Sequence, residues 1–376
     1  MIATPDIDIL VIGAGQAGLS VGYHLQRLGL RPEQDFLIVD HAPAAGGAWQ
    51  FRWPSLTLST VNRVHDLPGM SFEETLPEGS ENAQAATAVP HYFELYEKRF
   101  DLRVHRPVTV TVVCDRATAS TCPDQQVDGL LHAEIRPGEP VTTRGLVNAT
   151  GTWDKPFIPY YKGAETFAGQ QLHAHDYRSA REFEGRQVVV VGGGITAIQL
   201  LDEISQVTAT TWVTRREPVF RDGRFAPEDG RAAVAMVEDR VRRGLPPGSV
   251  VSVTGLREDA RVRAMRERGA LARRPMFDRI EPGGIRWADG DFQRADVILW
   301  ATGFRSALDH LAPLRLRGPG GGITMTGRLA TQVASDPRIH LIGYGPSAST
   351  IGANRAGRAA AVELTEYLGL AARQAD

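Results

Sequence analysis

Two glycine-rich turns, each closing a short apolar run, constrain this 376-residue chain more than any other feature. The first, Gly13-Ala14-Gly15-Gln16-Ala17-Gly18, follows Ile7-Asp8-Ile9-Leu10-Val11-Ile12. The second, Gly192-Gly193-Gly194-Ile195-Thr196-Ala197, follows Val188-Val189-Val190-Val191. A glycine turn between a buried strand and a helix lets the backbone approach a pyrophosphate and offers it the helix's first amides. Two such corners imply two dinucleotides, and a chain that holds two usually passes a hydride between them.

The context of each corner matters more than its glycines. After the first, Ala17 to Leu28 reads as a helix with Leu19, Val21, Leu25 and Leu28 apolar and Gly29 as its stop. Phe36-Leu37-Ile38-Val39 reads as the next strand, ending at Asp40, an acid placed to bond ribose hydroxyls. The same order restarts at Gln187, with a helix from about Thr196 to Ser205 and a strand at Thr210 to Thr214. There the acid is replaced by Arg215-Arg216. Guanidinium groups pair with a 2′-phosphate that a carboxylate would repel, so the second nucleotide reads as NADPH. The alternative is that both arginines are solvated loop residues. Two further apolar runs end in Ala-Thr-Gly, at Ala149-Thr150-Gly151 and Ala301-Thr302-Gly303. A last one, Ile339 to Gly345, leads to a helix from about Thr350.

Composition bounds the partners. Hydrophobic residues make up 42% and charged residues 23%, and the formal charge of −2 gives no basis for binding nucleic acid or anionic membrane. The start, Met1 to Asp6, lacks a basic n-region, and no run reaches the roughly 18 apolar residues of a spanning helix; a cytoplasmic location is expected. Cys114 and Cys122 form no Cys-x-x-Cys, and no metal-ligand cluster stands out, so no metal is expected.

Between the two corners, Phe167, Gly169, His173 and Tyr177 stand in the spacing F-x-G-x-x-x-H-x-x-x-Y. This segment resembles the fingerprint of the flavin-containing monooxygenases, class B flavoprotein monooxygenases with two dinucleotide-binding domains. Gly46-Gly47-Ala48-Trp49 and Trp53-Pro54-Ser55-Leu56-Thr57-Leu58 are similar to segments that line the flavin in that family. Baeyer-Villiger relatives carry Trp-Pro where this chain has Tyr177-Arg178, which favours N- or S-oxygenation or hydroxylation over ketone oxygenation.

The resemblance implies an α/β fold of two Rossmann-like domains, with an NADPH domain (156–295) inserted into a split FAD domain (1–155 and 296–376). Residues 220–280 are a candidate substrate cover by position. FAD would be held by Gly13, Ala14, Gly15, Gln16, Ala17, Gly18, Asp40, Gly47, Trp49, Trp53, Ser59, Thr60, Asn62, Val108, Thr150, Gly151, Gly343 and Thr350. NADPH would be held by Gly192, Gly194, Ile195, Thr196, Ala197, Arg215, Arg216, Ala301, Thr302 and Gly303. The implied reaction is NADPH reduction of FAD, capture of oxygen as a C4a-peroxyflavin, and transfer of one oxygen atom to a small molecule. Ser59 occupies the place of a flavin-side Asn in many relatives, and Ser59 and His173 are the candidate catalytic residues, although a histidine in such a linker is more often a structural hydrogen-bonding group. Molecular oxygen and a small-molecule substrate are the expected partners, with a homodimer as the candidate assembly. Two rivals stay open: a flavin reductase of a disulfide, quinone or electron carrier, and a nucleotide-sensing flavoprotein without turnover.

Overall fold

The computed structural model describes residues 6–61, 64–115, 129–222, 227–248 and 255–370, with the backbone alone at 222 and 227–231. The chain divides into two compact units. The first comprises Met1–Thr152, Ala235–Gly248 and Ser306–Asp376; the second comprises Trp153–Val234 and Ser249–Arg305.

The first unit opens with β1 (Ile7–Ile12), α1 (Gln16–Arg27), β2 (Phe36–Val39) and α2 (Ala85–Arg99), followed by β3 (Thr109–Cys114), β4 (Leu131–Arg136) and β5 (Val141–Asn148). Its strands β16 (Met325–Thr326), β17 (Gln332–Val333) and β18 (Asp336–Leu341) and its helix α6 (Thr350–Tyr367) come from the end of the chain. The centre of the sheet, β18-β5-β1-β2, is parallel. β4 and β3 extend it antiparallel from β5, and β17 and β16 extend it from β18. The apolar runs of β1 and β5 are unbroken because the sheet is covered on both faces. Ile9, Val11, Ile38 and Val147 face one cluster with Leu19 and Leu25 of α1 and Ala360 and Leu364 of α6. Leu10, Ile12, Leu146 and Leu341 face the other. α1 and α6 pack closely through small residues: Ser20 Oγ donates to Asn354 O at 3.1 Å, and a Cβ on Gly357 would stand 2.5 Å from that hydroxyl.

The second unit carries β6 (Gln170–His173), β7 (Val188–Val191), α3 (Ile195–Ile204), β8 (Thr210–Thr214), β9 (Phe220–Asp222), β10 (Leu256–Glu258), α5 (Ala260–Glu267), β11 (Arg273–Pro275), the meander β12 (Arg279–Glu281), β13 (Gly284–Arg286) and β14 (Phe292–Arg294), and β15 (Val297–Trp300). Its main sheet, β11-β8-β7-β15-β6, is parallel throughout. Val189, Val191, Val213, Ile298 and Trp300 pack there against Phe277, Ile280 and Ile285. Helix α4 (Pro227–Arg242) runs from the second unit into the first.

Three features differ from the sequence reading. The Phe167–Tyr177 segment is not a free linker: Gln170–His173 is a strand of the second sheet, paired residue for residue with Val297–Trp300. That pairing also puts 296–305 in the second unit, so the chain changes unit after Thr152 and after Arg305 rather than at 155 and 295. The 220–280 segment is not one body either. β9, β10, α5 and β11 stay with the second unit, whereas 235–248 belong to the first, where Val241 is buried 3.0 Å from the Cβ position of Gly345. Cys114, buried at the end of β3, is disulfide-bonded; Cys122, the other cysteine of the chain, lies outside the described residues. Among the described residues no helix is long and apolar enough to cross a membrane.

Candidate active site

In the first unit Gly13, Asp40, Thr150, Gly151 and Gly343 follow the carboxyl ends of β1, β2, β5 and β18, the side of a parallel sheet where nucleotides bind. The three glycines of the first corner do different work there. A Cβ on Gly18 would lie 1.8 Å from Gly13 O, and one on Gly13 would lie 2.6 Å from Ala149 O, so these two are glycine because the chain packs against itself. Gly15 has ordinary extended dihedrals (φ −80°, ψ −167°), and a Cβ there meets no protein atom within 4 Å. The fold does not demand glycine at Gly15; a close-approaching ligand would. Gly15 is also the N-cap of α1 and supplies no side-chain cap, leaving the helix's first amides and its positive dipole for an anion.

The surrounding residues complete this corner. Asp40 is 5% exposed, and its carboxylate accepts from Ala14 N at 2.5 Å and Ala42 N at 2.7 Å. A carboxylate has about four lone-pair sites, so two bonds leave room for ribose hydroxyls. Val108 lies beside it, donating its N–H to Asp40 O at 2.8 Å. The Gly47–Phe51 turn brings the Cβ position of Gly47 to 3.0 Å from Gly15 Cα, and Gly343 approaches Gly151. Trp53 is buried, and Trp49 is half-buried under Arg52, whose guanidinium carbon is 5.7 Å from the ring centre. Burial lowers the Arg52 pKa to about 10. Thr350 opens α6 behind the N-cap Ser349, whose hydroxyl accepts from Gly352 N.

Ser59 is exposed. Its hydroxyl bonds Thr57 Oγ1 at 2.8 Å and Asn82 Oδ1 at 3.4 Å, and its N–H donates to Glu81 O, so its described bonds are to its own loop and to 81–82 rather than to the glycine corner. Thr60 bonds Thr57. Asn62 lies outside the described residues.

The second unit repeats the division of labour. A Cβ on Gly192 would fall 2.3 Å from Ala301 O, whereas Gly194, the uncapped start of α3, again faces open space at φ −102°. Ile195, Thr196 and Ala197 form the first turn of α3. Arg215 and Arg216 follow β8, exposed and without an ion-pair partner among the described residues. The carbonyl of Arg216 is held by Thr214 Oγ1 at 2.8 Å.

His173 lies 1% exposed between two segments. His175 N donates to its Nδ1 at 3.0 Å, so the ring proton sits on Nε2, which donates to Gly303 O at 3.0 Å. Burial pushes its pKa below the usual imidazole value. Both nitrogens are occupied and the ring is neutral, which is the chemistry of a staple rather than of a proton carrier. Gly303 O also accepts from Phe157 N at 3.0 Å, and Thr302 Oγ1 donates to Phe157 O, so His173 and Thr302 hold the 155–157 and 301–305 segments together. Tyr177 is buried, stacks on Phe183 and donates to Glu203 Oε2 at 2.7 Å, tying the fingerprint segment to α3.

Among the described residues, one α-helix in each unit starts uncapped at a glycine whose Cβ position is open, an arrangement suited to a dinucleotide's pyrophosphate. Residues 10–230 match the family model described as pyridine nucleotide-disulphide oxidoreductase. A solved flavin-containing monooxygenase from Stenotrophomonas maltophilia is 34% identical, with 96% of this chain and 99% of that one covered at a TM-score of 0.77. The chain belongs to the pyridine nucleotide-disulphide oxidoreductase family, as a flavin-containing monooxygenase-like oxidoreductase. An uncharacterized oxidoreductase, CzcO, of Bacillus velezensis is 28% identical over 313 residues, covering 80% of this chain and 82% of that one. Indole-3-pyruvate monooxygenase YUCCA4 of Oryza sativa is 24% identical over 342 residues, covering 80% and 75%.

Three side-chain roles in this flavin monooxygenase relative were beyond the reach of spacing arguments, one of them that of Gln16, already a candidate for its backbone position. Gln16 does not turn its side chain to the corner it belongs to; its Nε2 donates to Asn354 Oδ1 at 2.9 Å and His65 O at 3.2 Å, bracing the start of α6. Arg273, brought beside β8 by β11, donates from Nε to Thr214 Oγ1 at 2.6 Å and adds a third cation near Arg215 and Arg216. His310 reaches Asn148 at the end of β5. Gln16 and Asn354 are 338 positions apart, so only the packing of α1 against α6 brings them together.

Proposed function

We propose that this chain is an FAD-dependent, NADPH-consuming monooxygenase that places one oxygen atom on a soft nucleophile, an amine nitrogen or a sulfur. The observation that carries the reading is the pair Gly15 and Gly194: two helix starts with no side-chain cap, each under a glycine whose Cβ position is open. A pyrophosphate supplies what both lack, negative charge and acceptors for the first-turn amides. Bound there, the flavin supplies the oxygen-activating redox chemistry and the nicotinamide supplies the hydride.

The chain's own residues divide the remaining work. Asp40 takes the adenosine ribose of FAD. Arg215 and Arg216, exposed and without an ion-pair partner among the described residues, choose the phosphorylated nucleotide, with Arg273 bracing the strand end from which they project. His173, Thr302 and Tyr177 hold the Ala301–Gly303 corner and α3 in register and move no proton. Tyr177-Arg178, in place of Trp-Pro, favours heteroatom oxygenation over ketone insertion.

The test is NADPH oxidation with oxygen uptake across a panel of tertiary amines, thioethers and cyclic ketones. Oxygenated amine or thioether should form in step with NADPH consumed. Equal NADPH turnover without oxygen, supported by a quinone or disulfide, would replace this reading by that of a flavin reductase.

A further inference from the structure

A polar chain, half-buried at Thr150 and His310 and buried at Asn148, runs beneath one Ala-Thr-Gly corner of the first unit. Thr150 Oγ1 donates to Ala307 O at 2.7 Å, Asn148 Nδ2 lies 3.0 Å from Thr150 Oγ1, and His310 Nε2 lies 2.7 Å from Asn148 Oδ1. Ala307 N–H donates in return to Gly151 O at 3.0 Å. Every direction in this chain is determined. A carbonyl cannot donate, so the Thr150 proton goes to Ala307 and its oxygen accepts from the Asn148 amide. The Asn148 oxygen then faces His310, which must carry its proton on Nε2.

The strand does not need this apparatus. The backbone of Asn148 is already paired with Ile12 and Leu341, and its carbonyl accepts from Ile342 N at 2.9 Å. Its neighbours Leu146 and Val147 are fully buried, and a polar side chain only 2% exposed costs free energy unless bonded. What the chain fixes is the point where the backbone leaves β5. Thr150 and Gly151 stand there beside Gly343, and a Cβ on Gly151 meets nothing within 4 Å. The other Ala-Thr-Gly corner is held in a related manner, by His173 Nε2 on Gly303 O.

We propose that His310 is a positioning residue for flavin binding, setting through Asn148 and Thr150 the backbone of the Thr150–Gly151 corner. This rests on the reading of the first unit as the FAD site. Burial lowers the His310 pKa to about 4, so the neutral ring with its Nε2 proton persists throughout the neutral range.

The experiment compares His310→Leu and His310→Gln with the wild-type protein, loaded with FAD and stripped of it. Leucine leaves the Asn148 oxygen buried without a donor; glutamine restores an N–H at similar reach. The Leu variant should bind FAD about tenfold more weakly, the effect of one buried hydrogen bond left unmade. Its bound flavin should show a shifted visible spectrum and midpoint potential, and Gln should recover most of both. If the Leu variant does not fold, His310→Asn carries the same comparison, its amide being one methylene too short. Wild-type FAD affinity, spectrum and potential in a variant that only melts earlier would overturn the proposal. A wild-type protein that takes up no FAD would instead sink the cofactor reading, and this proposal with it.

Discussion

Gly15 and Gly18 stand three residues apart in one motif, yet the structure gives their alanine variants opposite phenotypes. In Gly18→Ala the new Cβ would sit 1.8 Å from Gly13 O and 2.9 Å from Gly13 C, both backbone atoms with no rotamer to yield. The turn or the helix must shift. Overpacking of this kind costs about 1–3 kcal/mol or more, enough to lower the melting temperature of the apoprotein by several degrees. In Gly15→Ala the dihedrals suit any residue and the Cβ touches nothing. Alanine is a poorer N-cap than glycine by about 0.5–1 kcal/mol, but it loses less chain entropy on folding, by about 0.4–1 kcal/mol. These terms oppose each other, so apoprotein stability should stay within about 0.5 kcal/mol of wild type.

FAD affinity should behave differently. The methyl of Gly15→Ala occupies the space through which a phosphate would reach the α1 amides, and charge-assisted hydrogen bonds lost there are worth about 1.5–3 kcal/mol, or roughly 10- to 150-fold in Kd. Thermal melting of stripped protein and FAD titration by fluorescence quenching read the two quantities separately. If Gly15→Ala kept wild-type FAD affinity, the pyrophosphate does not pass over Gly15 and the argument from open space fails. If it melted as early as Gly18→Ala, the glycine is structural after all. The second corner repeats the design. Gly194→Ala should raise the KM for NADPH about tenfold while leaving FAD bound. Gly192→Ala, whose Cβ would meet Ala301 O at 2.3 Å from a backbone at φ +149°, should destabilise the fold.

Three other outcomes follow from the same geometry. Replacing Arg215 and Arg216 together by Ala should raise the NADPH KM about tenfold or more with little change for NADH, and added salt should narrow the wild-type preference; equal effects on both nucleotides would reassign these arginines to the solvated surface. His340 is fully buried with its pKa lowered to about 4, and His310 likewise to about 4, so both stay neutral in the folded chain while the unfolded chain takes up protons below about 6.5. Stability is then complete above pH 6.5 and falls as pH drops toward 4, by about 1.4 kcal/mol per pH unit for each proton the unfolded chain binds in excess. Denaturant melts across that range should show a shallower slope in His340→Gln, and an unchanged slope would mean the ring is charged in the fold. Finally, His173→Asn should weaken NADPH-supported turnover without altering the shape of its pH profile, since the ring is neutral with both nitrogens bonded; loss of a pH limb would restore His173 as an acid-base group.

The parallel cores were legible because their strands are short unbroken apolar runs, and such runs report double-sided burial from local sequence alone. Gln170–His173 was not. It is a short polar strand with Gln170 exposed, and its apolar partner, Val297–Trp300, lies more than a hundred residues away, so neither period nor composition marks it. The same pairing explains the misplaced boundary: Val297 looks like the start of a return to the first unit only if β6 is left out of the second sheet.

The limit is sharper at the site. A glycine fingerprint names positions that must lack a side chain, but it cannot say whether the excluded volume belongs to the protein or to a ligand. Gly13 and Gly18 yield to Ala149 and to one another, whereas Gly15 yields to nothing the chain provides. The distinction exists only once β5 lies beside β1 and carries Ala149 to the turn. His310 makes the point again from the polar side. It is one histidine among ten, in no motif, and acquires a role only because the chain re-enters the first unit beside Asn148. Recognition motifs therefore locate where a cofactor's phosphates sit, while the residues that hold the corner rigid against them come from whichever segment the topology returns to that sheet edge. In this chain that segment is 306–310, so a variant there should move flavin affinity and flavin spectrum together through the Thr150–Gly151 corner, whereas alanine at Gly15 tests the phosphate contact by itself.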